Sequence, residues 1–258
     1  MDHLLIAVVA VAVSGLTMFS GFGLGTLLLP AFALFLPIES AVAATAVVHG
    51  AKNVLKVALL GRHAELRVVL KFGVPAVVAA TLGARLLGRL ALSEPLTSYE
   101  FAGRTAVITP VGAVIGGLMI VFALLEIAAA LKGRAVSERW LPAGGVLSGF
   151  FGGLSGHQGA LRSAFLATTR ISPRQFVGTN AVIGLGVDAV RLSVYFGALS
   201  STGAVWRPGS LVLTGCLAAF VGVVIGKRLL HKITMTGVRR LTGSILLIVG
   251  VGLAGGLL

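Results

Sequence analysis

The sequence predicts an all-α integral membrane protein made of two inverted repeats, each a broken helix or re-entrant hairpin followed by three transmembrane helices. Three observations predict it. First, the 258 residues are 57% hydrophobic and only 11% charged, with mean hydropathy +1.02, whereas a soluble domain carries about 25% charged residues. Second, several apolar runs reach about 20 residues, the length that crosses a hydrocarbon core of about 30 Å. Third, Ser20 to Val57 and Ser155 to Leu192 share one plan at a constant offset of 135 positions. Ser20-Gly21 matches Ser155-Gly156, Thr45-Ala46-Val47 matches Asn180-Ala181-Val182, Asn53 matches Asp188 and Lys56 matches Arg191. Duplicated broken helices, with charges in apolar sequence, point to a transport site at a repeat interface.

Residues 1–131 form the first membrane repeat, 132–139 a cytoplasmic linker and 140–258 the second repeat. The first apolar run, Leu4 to about Leu36, is interrupted by Ser20-Gly21-Phe22-Gly23-Leu24-Gly25. Pro37 to Ser40 reads as a turn with a helix cap at Ser40, followed by a helix from about Ala41 to Leu60. After a basic loop comes a helix from about Val68 to Leu90, with Pro75 as its kink. Ser93 to Arg104 is the most polar stretch. A fourth helix is expected from about Val107 to Leu131. The second half repeats the order: a broken run from about Trp140 to Thr169, then helices near Gln175–Leu199, Pro208–Leu230 and Val238–Leu257.

Orientation follows from the basic loops. Arg62, Arg67, Lys71, Lys132, Arg134, Arg139, Lys227, Arg228, Lys232, Arg239 and Arg240 place their loops inside. Ala198 to Val205, the equivalent of the first basic loop, has no charge and reads as outside. Equivalent loops therefore face opposite sides, and the N-terminus is outside. Arg85, Arg89 and Arg104 on the outer side run against this pattern.

The net charge of +13 does not imply nucleic acid binding, because the basic residues flank or enter apolar runs instead of forming a soluble face. The single cysteine, Cys216, rules out an intrachain disulfide and a cysteine metal cluster. No metal site, cofactor or catalytic residue is expected. The N-terminus lacks the basic segment of a secretory signal and reads as mature sequence.

His49, Lys52, Asn53 and Lys56 fall at i, i+3, i+4 and i+7 and share one helical face. Each is costly in lipid, so the face must meet protein or a wet cavity. Lys56 lies near a helix end and could snorkel; His49 and Lys52 lie too deep. In the second copy Asn180, Asp188 and Arg191 share the matching face, where Asp188 and Arg191 form either an i, i+3 pair or part of a site. The two breaks offer backbone N–H groups and positive helix ends to an anion. Ser20, Gly21, Gly23 and Thr26 at the first break, and His157, Gln158 and Arg162 at the second, complete the candidate substrate-binding set. A leucine at Gly23 or Gly156 is expected to impair transport more than one at Gly250.

These features resemble the TauE/SafE family, the sulfite exporter family. The resemblance covers nearly the whole chain. It rests on Ser20-Gly21-Phe22-Gly23, Ala44-Thr45-Ala46, Leu60-Gly61-Arg62, Leu82-Gly83-Ala84-Arg85, Gly149-Phe150-Phe151-Gly152-Gly153 and Gly178-Thr179-Asn180. It implies a secondary transporter, in the export direction, of a small sulfur-containing anion (sulfite, thiosulfate or an organosulfonate) across the bacterial inner membrane. The alternatives are an anion channel or a transporter of a non-sulfur organic acid. The expected partners are the small anion, the lipid bilayer, protons as a candidate coupling ion and, as an open question, a second copy in a homodimer. An enzyme is not expected.

Overall fold

A computed structural model describes residues 1–20, 24–129, 137–201, 209–229 and 235–258. The fold is almost wholly helical. The first elements are α1 (Asp2–Ser20) and α2 (Leu24–Ala33). Then come α3 (Ile38–Leu60), a short α4 (Leu66–Val68), α5 (Val74–Ala91) and α6 (Pro110–Ala129). The second half comprises α7 (Leu141–Ser155), α8 (Gln158–Leu166), α9 (Pro173–Ser201), α10 (Gly209–Leu229) and α11 (Met235–Ala254). Five segments are long and apolar enough to cross a membrane: Ile38–His63, Leu66–Ala91, Pro110–Ile127, Pro173–Gly197 and Gly209–Gly226.

Two local expectations are corrected, the cap at Ser40 and the start of the fourth helix near Val107. Helix α3 starts at Ile38 behind Pro37, so Ser40 lies inside it and caps nothing. Proline is suited to that entry because it pre-sets φ and has no N–H to leave unpaired. Ahead of Pro75 a π-type turn, Val69–Gly73, runs directly into α5. Proline cannot donate the helical bond, and a wider turn is one way the backbone absorbs that loss. The polar stretch forms a hairpin of β1 (Thr97–Phe101) and β2 (Arg104–Ile108). Its two-residue turn holds Ala102 and Gly103 at φ 50° and 76°, the mirror-image geometry that matches strand twist. Residues 104–108 are thereby strand, and α6 begins only at Pro110.

Helix surfaces are turned inside out relative to a soluble protein. On α3 the polar set His49, Lys52, Asn53 and Lys56 is buried, while Val54 and Leu59 are exposed. On α5, Ala76, Ala80, Gly83 and Ala84 are buried, while Val74, Val78 and Leu82 face outward. Large apolar side chains meet lipid; small ones let helices approach, the usual source of helix association in a bilayer.

The approach is closest where α7 crosses α5. A Cβ on Gly145, Gly149 or Gly153 would overlap the carbonyl oxygen of Phe72, Ala76 or Ala80 respectively. The ascending order of both sets means that α5 and α7 run parallel. In the same way Gly222 meets Val11 and Gly226 meets Gly15, so α1 and α10 run parallel. By contrast, Gly50 lies against Asp188 and Leu192, and Gly178 against Leu60, so α3 and α9 run antiparallel. Helices α6 and α11 are also antiparallel, with Gly116 against Gly250 and Ala254 and Gly243 against Ala123. Gly250 is thus closely packed and not the open reference position expected; Gly117 and Gly197, with nothing within 4 Å of an added Cβ, are open.

Two clefts mark the opposite ends of the bundle. One is lined by Pro37, Glu39, Leu90, Ser93, Val107, Gly112 and Leu253, and so collects the start of α3 and α6 and the end of α5 and α11. The hairpin is fastened there: Tyr99 Oη donates to Gly255 O at 2.6 Å and Val107 N to Gly256 O at 3.2 Å. The other cleft, about 660 Å³, is lined by Glu65, Arg67, Ser137, Glu138, Leu141, Thr168, Arg170 and Gln175.

Candidate functional site

Between the clefts, α3 and α9 bring their buried polar faces together. Asp188 on α9 is the hub. His49 Nδ1–H donates to its Oδ2 at 2.6 Å and Asn53 Nδ2 to the same oxygen at 2.8 Å. Gln158 Nε2 and Arg191 Nε donate to Oδ1 at 3.1 and 3.0 Å, and Arg191 Nη2 lies 2.8 Å from it. Asp188 and Arg191 therefore do pair within α9. Both side chains are 0% exposed, so neither charge is tolerable without the other.

The second break supplies the next layer. Helix α7 ends at Gly156, whose φ of +81° is left-handed and whose N–H donates to Gly152 O at 3.0 Å. Glycine takes this conformation without the Cβ clash that other residues meet. The chain restarts as α8, and Gln158 and Arg162, one turn apart, both point inward. Arg162 Nη1 donates to Gln158 Oε1 at 2.8 Å, and its Nε to Asn180 Oδ1. Asn180 Nδ2 donates onward to Ser163 Oγ at 3.3 Å. Gly184 leaves room for this: a Cβ there would lie 2.7 Å from Asn53 Nδ2 and 3.0 Å from Arg162 Nη1.

The first half contributes through Thr17, near the end of α1. Lys52 Nζ donates to Thr17 Oγ1 at 3.1 Å and Lys56 Nζ to Thr17 O at 2.7 Å. His49, Lys52, Asn53, Lys56, Arg162 and Asn180, with Val177 and Ala181, line one small polar cavity. It measures about 10 Å³, room for about one water. Among the described residues Lys52, Lys56 and Arg162 are paired with no carboxylate. All three are at most 5% exposed.

The structure thus gathers nine of the candidate residues into one connected region: His49, Lys52, Asn53, Lys56, Gln158, Arg162, Asn180, Asp188 and Arg191. His157 stands apart. Its ring stacks on Phe122 with centroids 5.1 Å apart, its Nδ1 bonds Ser155 Oγ at 3.0 Å, and no hydrogen bond joins it to Asp188 among the described residues. Gly21 and Gly23 lie outside the described residues, as do the side chains of Ser20 and Thr26. Sequence reading missed Thr17 and Tyr195. Tyr195 is four residues beyond Arg191, on the same helical face, and its hydroxyl donates to Gly153 O; that spacing was available as a signal. Thr17 carried none, because a lone threonine in an apolar helix usually bonds its own backbone, as Thr17 also does to Ser14 O.

The sequence profile of the sulfite exporter TauE/SafE family matches residues 5–253. The chain belongs to the TauE/SafE family. Members of that family are membrane transporters and not enzymes, so the TauE/SafE chain described here is a multi-pass membrane protein of transporter type. No curated protein matches it significantly.

Proposed function

We propose that this TauE/SafE protein is a secondary transporter that exports a small sulfur-containing oxyanion, such as sulfite, thiosulfate or an organosulfonate, across the bacterial inner membrane. One observation carries the reading. Lys52, Lys56 and Arg162 converge on a buried cavity, and among the described residues none of the three lies within ion-pair distance of a carboxylate. Buried cations hydrogen-bonded only to neutral groups are expensive; a bound anion supplies the counter-charge. The lining is polar except for Val177 and Ala181, which suits a compact oxyanion. At about 10 Å³ the cavity holds no such anion, so the site must open before it loads. That favours alternating access over a channel. His49 sits between Asp188 and the cavity; with Nδ1–H engaged, Nε2 is the ring nitrogen left to take a proton, which makes His49 the candidate for proton coupling.

Access from alternate sides fits two halves, 1–131 and 140–258, related as an inverted repeat. Antiparallel packing of α3 on its equivalent α9, and of α6 on α11, supports this, as does the exchange of partners by which α1 packs on α10 and α7 on α5. The basic residues Arg62, Arg67, Lys71, Arg139, Arg170 and Arg174 belong to the end marked by the larger cleft, which we assign to the cytoplasm.

Flux into proteoliposomes of sulfite, thiosulfate, taurine and acetate, with and without a pH gradient, tests the function. Saturable sulfur-anion flux is expected, and equal flux of acetate would transfer the reading to organic acids. Lys52→Gln and Arg162→Gln are each expected to raise KM about tenfold, equivalent to 1.4 kcal/mol. Wild-type KM in both would remove the cavity as the substrate site. For topology, cysteines at Ser98 and Ser137 in a Cys216→Ala background should react with impermeant maleimide from opposite sides. Reaction of both from one side contradicts the assignment.

A further inference from the structure

A carbonyl in the last turn of a helix has a second lone pair that can accept a further hydrogen bond even where its helical bond is made. In both halves a cation from a later long helix makes such a bond, and Gly152 O accepts it in addition to Gly156 N–H. Lys56 Nζ donates to Thr17 O at 2.7 Å, near the end of α1. Arg191 Nη1 donates to Gly152 O at 3.2 Å, near the end of α7. Thr17 and Gly152 are separated by 135 positions, and so are Lys56 and Arg191. The carbonyl and the cation therefore correspond in the register that aligns the two halves, although the side chains differ at both ends of the bond.

We infer that Lys56 and Arg191 are equivalent clamps, one per half, that hold the C-terminal end of a broken helix against the long helix following it. They are positioning residues and not the groups that recognise substrate. A cation suits a helix C-terminus because the unpaired carbonyls concentrate negative partial charge there. Arg191 is further committed to Asp188. The division leaves Lys52 and Arg162 as the cations free to meet an anion. Among the described residues Lys52 bonds only a hydroxyl, Thr17 Oγ1, and Arg162 only the amide oxygens of Gln158 and Asn180. Neither has a counterpart in the other half: position 187 is Val187 and position 27 is Leu27. The duplicated cations secure the scaffold, and the unduplicated ones equip the cavity.

The flux arm of the test rests on the transport reading; the exchange arm does not. Full-length protein in nanodiscs is compared as wild type, Lys56→Met and Lys56→Arg by hydrogen–deuterium exchange. Exchange in the last turn of α1 is expected to accelerate about tenfold in Lys56→Met, to stay unchanged at the end of α7, and to recover in Lys56→Arg. In proteoliposomes supplied with sulfite, Lys56→Met should lower the maximal rate about tenfold with KM within about twofold. Unchanged exchange overturns the clamp. A raised KM at an unchanged maximal rate also overturns it, and makes Lys56 a ligand. Faster exchange in a protein whose wild type shows no saturable anion flux supports the clamp and removes the transport reading instead. Where Lys56→Met does not fold, Arg191→Lys takes its place, since it keeps the charge beside Asp188 but gives up the reach to Gly152. Faster exchange at the end of α7 then supports the clamp, and wild-type exchange there overturns it.

Discussion

Asp188→Ala is expected to abolish transport and to lower stability more than any other single change at the site. The carboxylate accepts from His49, Asn53, Gln158 and Arg191, which lie on α3, α8 and α9. Removing it leaves Arg191 as an uncompensated buried charge, a loss of about 3–5 kcal/mol. The stranded donors of Asn53 and Gln158 add about 1–3 kcal/mol for each that finds no new partner. Asp188→Asn keeps the shape but not the charge, so it should fall between alanine and wild type. Thermal melting in detergent, measured beside proteoliposome flux, checks both. An alanine variant that melts within about 2 °C of wild type and retains flux would show that Asp188 is not the hub.

Gly149→Leu is expected to prevent assembly of the two halves. A Cβ at Gly149 would overlap Ala76 O, so the contact between α7 and α5 is main chain against main chain. Overpacking of an ordinary core costs about 1–3 kcal/mol, occasionally more. This site sits at the upper end because a backbone carbonyl, unlike a side-chain tip, cannot swing aside. Displacing α7 would also shift the break at Gly156 and with it Gln158 and Arg162. Gly117→Leu is the matched control, since nothing lies within 4 Å of its added Cβ. Size-exclusion profile and melting temperature distinguish them: Gly149→Leu should be lost or aggregated, and Gly117→Leu should match wild type. Equal behaviour of the two would refute the close approach.

The corrections to the sequence reading share one cause. Ser40 satisfied the local rule for a helix cap, yet α3 starts at Ile38 because Pro37 fixes the entry. Val107 and Ile108 read as the start of the fourth helix, but pairing with Ser98 and Thr97 made them strand. Gly250 looked like an arbitrary position in the last helix, while its neighbours are Gly116 and Met119 of α6. In each case a partner distant in space or a neighbour's fixed dihedral outweighed local pattern.

The sequence by itself determined the class of this protein, because lipid solvation demands long apolar helices and leaves that demand in composition. It carries a shared pattern at a constant offset of 135 positions, because matching residues are written in register. It also determined which face of α3 turns inward, since charges at i, i+3, i+4 and i+7 cannot all face hydrocarbon. Only the tertiary structure decided what those charges do. His49 and Asp188 are 139 positions apart, Lys56 and Thr17 are 39, and no periodicity specifies such partners. Lys56 and Arg191 read as candidate ligands in sequence, and the bonds they make to Thr17 O and Gly152 O were not legible there, because those carbonyls belong to backbone, which every residue carries and no sequence pattern marks.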